Sequence, residues 1–99
     1  MAYLTISRIA GDPDELFGSW RSTVERMNEV GRDHGLILHA TSPTEDGLLM
    51  VNLWPAQENA DAATADPRRN AVLAQHDLKP GQFSREHHEG VEYVLFSEG

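Results

Sequence analysis

Leu48-Leu49-Met50-Val51-Asn52-Leu53-Trp54 is the stretch that decides how this 99-residue chain folds. As a strand it sets Leu48, Met50, Asn52 and Trp54 against Leu49, Val51 and Leu53, so both faces are mostly apolar. A strand buried on both sides belongs inside a sheet that is covered on both sides. Two helices in so short a chain cannot cover both, so the second face calls for a partner chain or a ligand.

Working outward from that strand, Tyr3 to Ile9 alternates, with Leu4 and Ile6 on one side and Tyr3, Thr5 and Ser7 on the other. Asp12-Pro13-Asp14-Glu15 starts a helix: Asp12 caps it, Pro13 suits its first position and Glu15 completes a box-like arrangement. Leu16, Trp20, Val24, Met27 and Val30 then recur at steps of three and four opposite Arg21, Glu25 and Glu29, giving about five turns that stop at Gly35. Trp20 reads as core. Leu36 to Thr41 alternates as a second strand, and Ser42 to Gly47 is turn chemistry that joins it to the third. Beyond Pro55, an Ala-rich helix over Gln57 to Ala65 breaks at Asp66-Pro67 and restarts to about His76. Lys79-Pro80-Gly81 is a turn, and Val91 to Phe96 alternates as the last strand. Phe83 to Glu89 reads either as an irregular lead-in or as an extension of that strand, with a bulge at Gly90. The order βαββαβ predicts an α+β, ferredoxin-like domain over 1–99, a four-stranded antiparallel sheet with its helices on one face.

Composition narrows the function. Sixteen acidic residues against eight basic give a net charge of −8, a field that repels phosphate backbones and argues against nucleic-acid binding. No apolar run approaches the roughly 20 residues that span a membrane, and the first residues alternate too much for a signal peptide. With no cysteine, neither disulfides nor thiolate metal sites form. A soluble cytoplasmic protein is expected.

Five histidines carry most of the chemistry. His39 sits on the second strand, and His87 and His88 lie within Arg85-Glu86-His87-His88-Glu89. His34 and His76 close helices, where an imidazole complements the helix dipole, although His76 is also placed to overhang a cleft. His87 and His88 point to opposite faces if the segment is extended. A histidine on the open side of the sheet near Tyr3, Asn52 or Trp54 is suited to exchange protons with a small molecule. His39, His76, His87 and His88 are therefore the candidate catalytic residues, with Tyr3, Asn52 and Trp54 as candidate substrate-binding residues. Trp54 packs under the second helix or lines a pocket mouth. The plainer reading is that the histidines bond to neighbouring carboxylates or carbonyls. A metal site using His39 with His87 or His88 is a third alternative. Arg68 and Arg69 follow Asp66-Pro67 and either hold an anionic group or form a solvated face paired with acids. No nucleophile elbow, phosphate loop or dinucleotide fingerprint is present, so no common cofactor is expected.

The element order, the length, the split Ala-rich helical region and the segment Val91-Glu92-Tyr93-Val94-Leu95-Phe96 together resemble the dimeric α/β-barrel superfamily. Its members include antibiotic-biosynthesis-type monooxygenases, haem-degrading monooxygenases and stress-responsive barrel proteins. The resemblance implies a homodimer whose two sheets pack through their open faces, and a pocket between each sheet and its helices. It implies a small-molecule ligand, apolar or aromatic, and either cofactor-independent monooxygenase activity or non-catalytic binding. The haem-degrading members use an Asn on the first strand, a Trp in the second helical region and a His near its end. Only His76 matches that set here, which argues against haem chemistry.

Overall fold

The computed structural model describes residues 1–76 and 82–96. Its elements are β1 (Ala2–Ala10), α1 (Pro13–Asp33), β2 (Leu38–Thr44), β3 (Gly47–Trp54), α2 (Gln57–Thr64), α3 (Pro67–Gln75) and β4 (Phe83–Val91). The sheet is antiparallel throughout, in the order β2-β3-β1-β4. The turn expected at Lys79-Pro80-Gly81 lies outside the described residues.

Local chemistry explains the boundaries. Asp12 accepts hydrogen bonds from the amides of Asp14 and Glu15 and so starts α1. His34 caps its end, and Gly35, at φ +81°, supplies the left-handed residue that turns the chain away. Asp66 caps α3 in the same manner as Asp12 caps α1. β2 begins later than Leu36 and continues to Thr44, because Ser42 and Pro43 pair with Leu49 and Leu48. Proline is tolerated there because β2 is an edge strand.

The last strand corrects the sequence reading. β4 is Phe83–Val91, and 92–96 form no strand. Phe83, Arg85 and His87 pair with Ile9, Ser7 and Thr5, while Arg8 bonds Glu86 at 2.9 Å on the other face. These cross-strand pairs outweigh the alternation of the tail. Gly90 is the expected bulge: its φ is +65°, and the register with β1 shifts between Ala2 and Leu4. Tyr93, Val94, Leu95 and Phe96 are exposed, Phe96 by 91 %.

A small core lies between the sheet and α1 and α2. It joins Tyr3 and Trp54, paired across β1 and β3, with Val30, Ala60 and Ala63, and Leu36 packs against it. Trp54 thus packs beneath α2. The helices cover the face carrying Tyr3, Thr5, Ser7 and Ile9, all buried. The face they do not reach carries Leu4, Ile6, Leu49, Val51 and Leu53, with Leu38 at its edge 41 % exposed. The usual polarity of a two-layer domain is therefore partly inverted, with apolar side chains turned outward and Thr5, Ser7 and Asn52 turned inward.

Candidate functional site

Strand register assembles the site. One row crosses the sheet beneath the helices: His39 on β2, Asn52 on β3, Thr5 on β1 and His87 on β4. The next row is Thr41, Met50, Ser7 and Arg85. Above these rows Trp20 and Met27 come from α1, and Arg69, Val72 and His76 from α3. Together they enclose a cavity of about 200 Å³. Since an apolar cavity of about 150 Å³ accepts benzene, a molecule of one or two rings fits here. A second, more open cleft bordered by Tyr3, Gln57, Asp61, His87 and Glu89 adjoins it, and Asp61 and His87 border both spaces.

The structure sorts the histidines. His39 stacks on Trp20 with ring centroids 5.4 Å apart and planes 13° from parallel. Its Nδ1 lies 2.5 Å from the side-chain oxygen of Asn52 and its Nε2 bonds the Thr41 hydroxyl. Asn52 Oδ1 only accepts, so His39 donates from Nδ1 and accepts from Thr41 at Nε2. Both nitrogens are therefore satisfied within the protein, and His39 forms cavity wall. His87 differs: its Nδ1 and the Tyr3 hydroxyl share a hydrogen bond at 2.6 Å. Burial, and then the charges of Asp61 and Glu89, push the Tyr3 hydroxyl above the usual phenol range, so it stays protonated near neutrality. His76 borders the cavity with Nε2 buried and, among the described residues, without a partner. An orphaned buried nitrogen of this kind is costly unless a ligand or water meets it. His88 faces away from the cavity and pairs with Glu86 at 3.3 Å. His34 bonds Asp66 at 2.9 Å and ties the end of α1 to the start of α3.

Three expectations change. The row containing Asn52 and Trp54 faces the helices, not the open side of the sheet, because the outward positions are taken by Leu4, Ile6, Val51 and Leu53. A shared metal site on His39 and His87 or His88 does not form: β2 and β4 stand three strand spacings apart, about 14 Å. No group of three metal-binding side chains occurs among the described residues. Trp20 is half-buried and lines the cavity instead of filling the core.

Sequence reasoning offered Arg68 and Arg69 together as an anion site or a solvated face, and placed neither Arg69 nor Arg85 at the cavity that both border. Arg68 and Arg69 are adjacent but separate: Arg68 pairs with Asp33 and Asp66, whereas Arg69 borders the cavity. The available signal was parity. Arg85, like His87, shares the side of β4 that faces Thr5 and Ser7.

A protein from Chloroflexus aurantiacus, assigned as an antibiotic biosynthesis monooxygenase, superposes with a TM-score of 0.69 at 18 % identity, covering 100 % of both chains. SnoaB from Streptomyces nogalater, a cofactor-independent oxygenase, gives 0.63 at 14 % identity, covering 95 % of this chain and 96 % of that one. A dimeric ferredoxin-like protein of unknown function from Jannaschia sp. gives 0.71 at 7 % identity, covering 90 % and 99 %. The chain shares the ferredoxin-like fold of these structures. No protein-family model matches it, and no curated protein does. No helix among the described residues is long and apolar enough to cross a membrane.

Proposed function

We propose that this protein binds a small apolar or aromatic metabolite between its helices and its sheet, and acts on it as a cofactor-independent monooxygenase. One observation carries the reading: an apolar-walled cavity of about 200 Å³ bordered by His87 and by His76, whose Nε2 is buried and has no partner among the described residues. The oxygenase SnoaB, which shares the fold, supports the reaction class. Without a cofactor the substrate itself supplies electrons to dioxygen, so the protein's part is to take up a proton and exclude bulk water. His76 Nε2 is placed to accept that proton, and His87, with the adjoining cleft beside it, to pass one outward.

The active form in this reading is a homodimer. The outward Leu4, Ile6, Val51 and Leu38, together with exposed Tyr93 to Phe96, make an apolar surface that a second copy covers. A dimeric neighbour of the same fold supports it. His39, with both nitrogens satisfied, favours a second reading in which the histidines are structural and the protein binds its ligand without turnover.

Oxygen uptake in the presence of oxidisable aromatic substrates such as polycyclic phenols separates the two readings. The first predicts metal- and flavin-free oxygen consumption that falls by about a hundredfold in His76→Ala and His87→Ala and is unchanged in His88→Ala. Quenching of tryptophan fluorescence by the same compounds without oxygen uptake establishes the binding module and contradicts the oxygenase.

A further inference from the structure

Two guanidinium groups border the cavity, Arg69 from α3 and Arg85 from β4. Neither forms an ion pair among the described residues, although Arg8 is paired with Glu86 and Arg68 with Asp33 and Asp66. In a chain with twice as many acidic as basic residues, two unpaired arginines at one apolar chamber need a reason. Their contacts are with neutral groups. Arg69 Nη1 donates to the Thr64 carbonyl and to Asn70 Oδ1, each at 3.3 Å, and Arg85 Nε donates to Ser7 Oγ at 3.3 Å. These bonds position the two forks and leave most of each available. The arrangement is also costly: burial first, and the charge of Arg85 second, lower the proton affinity of Arg69. A bound anion relieves both effects. Asp61, the one carboxylate among the described cavity residues, sits at the outer cleft with Tyr3 and Glu89 and pairs with neither arginine.

We propose that the ligand of this cavity is an aromatic carboxylate, its two oxygens held by Arg69 and Arg85 and its ring lying along the Trp20 and Met50 wall. The proposal rests on the cavity being a ligand site and adds the charge of what enters it. A carboxylate offers two coplanar oxygens to flat guanidinium forks, and one ring system occupies the remaining apolar volume. The −8 charge of the whole molecule disfavours a multiply charged guest, which points to a monoanion.

Calorimetry and tryptophan fluorescence at low salt test it, with 2-naphthoate, neutral 2-naphthylmethanol and inorganic phosphate as probes. Naphthoate is expected to bind more tightly than the alcohol by about tenfold or more. Arg69→Met and Arg85→Met should each abolish that preference, and Arg69→Lys, which keeps charge without the fork, should retain part of it. Melting temperatures of the Met variants should hold or rise, because one of two repelling charges is gone. Equal affinity for acid and alcohol overturns the anion assignment and leaves the cavity reading intact. A preference that survives either Met substitution also overturns it, as does phosphate binding as tightly as naphthoate. Failure of both ring probes to bind overturns this proposal and the cavity reading together.

Discussion

Asp66 shows how one side chain can join the end of one helix to the start of another. It caps α3 through the Arg68 amide, accepts from the Arg68 guanidinium at 2.8 Å and accepts from His34 Nε2 at 2.9 Å. The Arg68 side chain first, and His34 second, hold its carboxyl well below the usual carboxylate range. A carboxyl depressed in the folded state adds stability above its unfolded value, and that stability is lost as pH falls through the folded one. Asp66→Asn should therefore lower the melting temperature at pH 7. The gap from the wild type should narrow as pH drops below about 4, read by thermal melts across pH. The sequence showed Asp66-Pro67 as a helix start, because capping is local chemistry. It did not show that His34, 32 residues earlier, completes the site, since that contact depends on how α1 and α3 pack. The same boundary separates His87 from His39. Alternation alone placed His87 and His88 on opposite faces, whereas the satisfaction of His39 by Asn52 and Thr41 needed the register between β2 and β3.

At the scale of elements, helices with caps were legible and the β4 boundary was not. α1 carries its start, stripe and stop within its own residues. β4 is chosen by its partner: 91–96 alternates more cleanly than 83–91, yet only the latter meets Ile9, Ser7 and Thr5 with matching side chains. Two glycines test the element-level account in opposite directions. A Cβ on Gly47 would stand 1.9 Å from the Ile9 carbonyl oxygen, so β1 and β3 approach too closely there for any side chain. Gly47→Ala should cost about 3 kcal/mol by forcing the strands apart. Gly18, on α1, has nothing within 4 Å of such a Cβ, and Gly18→Ala should stabilise by about 0.8 kcal/mol through helix propensity. Urea unfolding of the two variants reads both signs.

For the whole molecule, the apolar strand Leu48 to Trp54 led to the expectation that both sheet faces need cover, and the helices cover one of them. The roles of the two faces were harder to read, because one sequence shows alternation without showing which side the helices take. Packing decides it: Tyr3 and Trp54 go under Val30, Ala60 and Ala63, and the parity of every other position follows. Thr5, Ser7, Asn52, Arg85 and His87 are then directed at the cavity, and Leu4, Ile6, Val51 and Leu53 away from it. We propose that the inner face, apolar apart from side chains such as Thr5, Ser7, Asn52, Arg85 and His87, receives a ligand, and that the outer face at Leu4, Ile6 and Val51 meets a second copy. Sedimentation equilibrium at micromolar concentration tests it most directly, comparing the wild type with Val51→Glu, a charge placed at the middle of the outer face. Twice the 11.0 kDa chain mass is expected for the wild type and the mass of one folded chain for the variant. A wild type that sediments as a single 11.0 kDa subunit, or a Val51→Glu protein that stays dimeric, contradicts it.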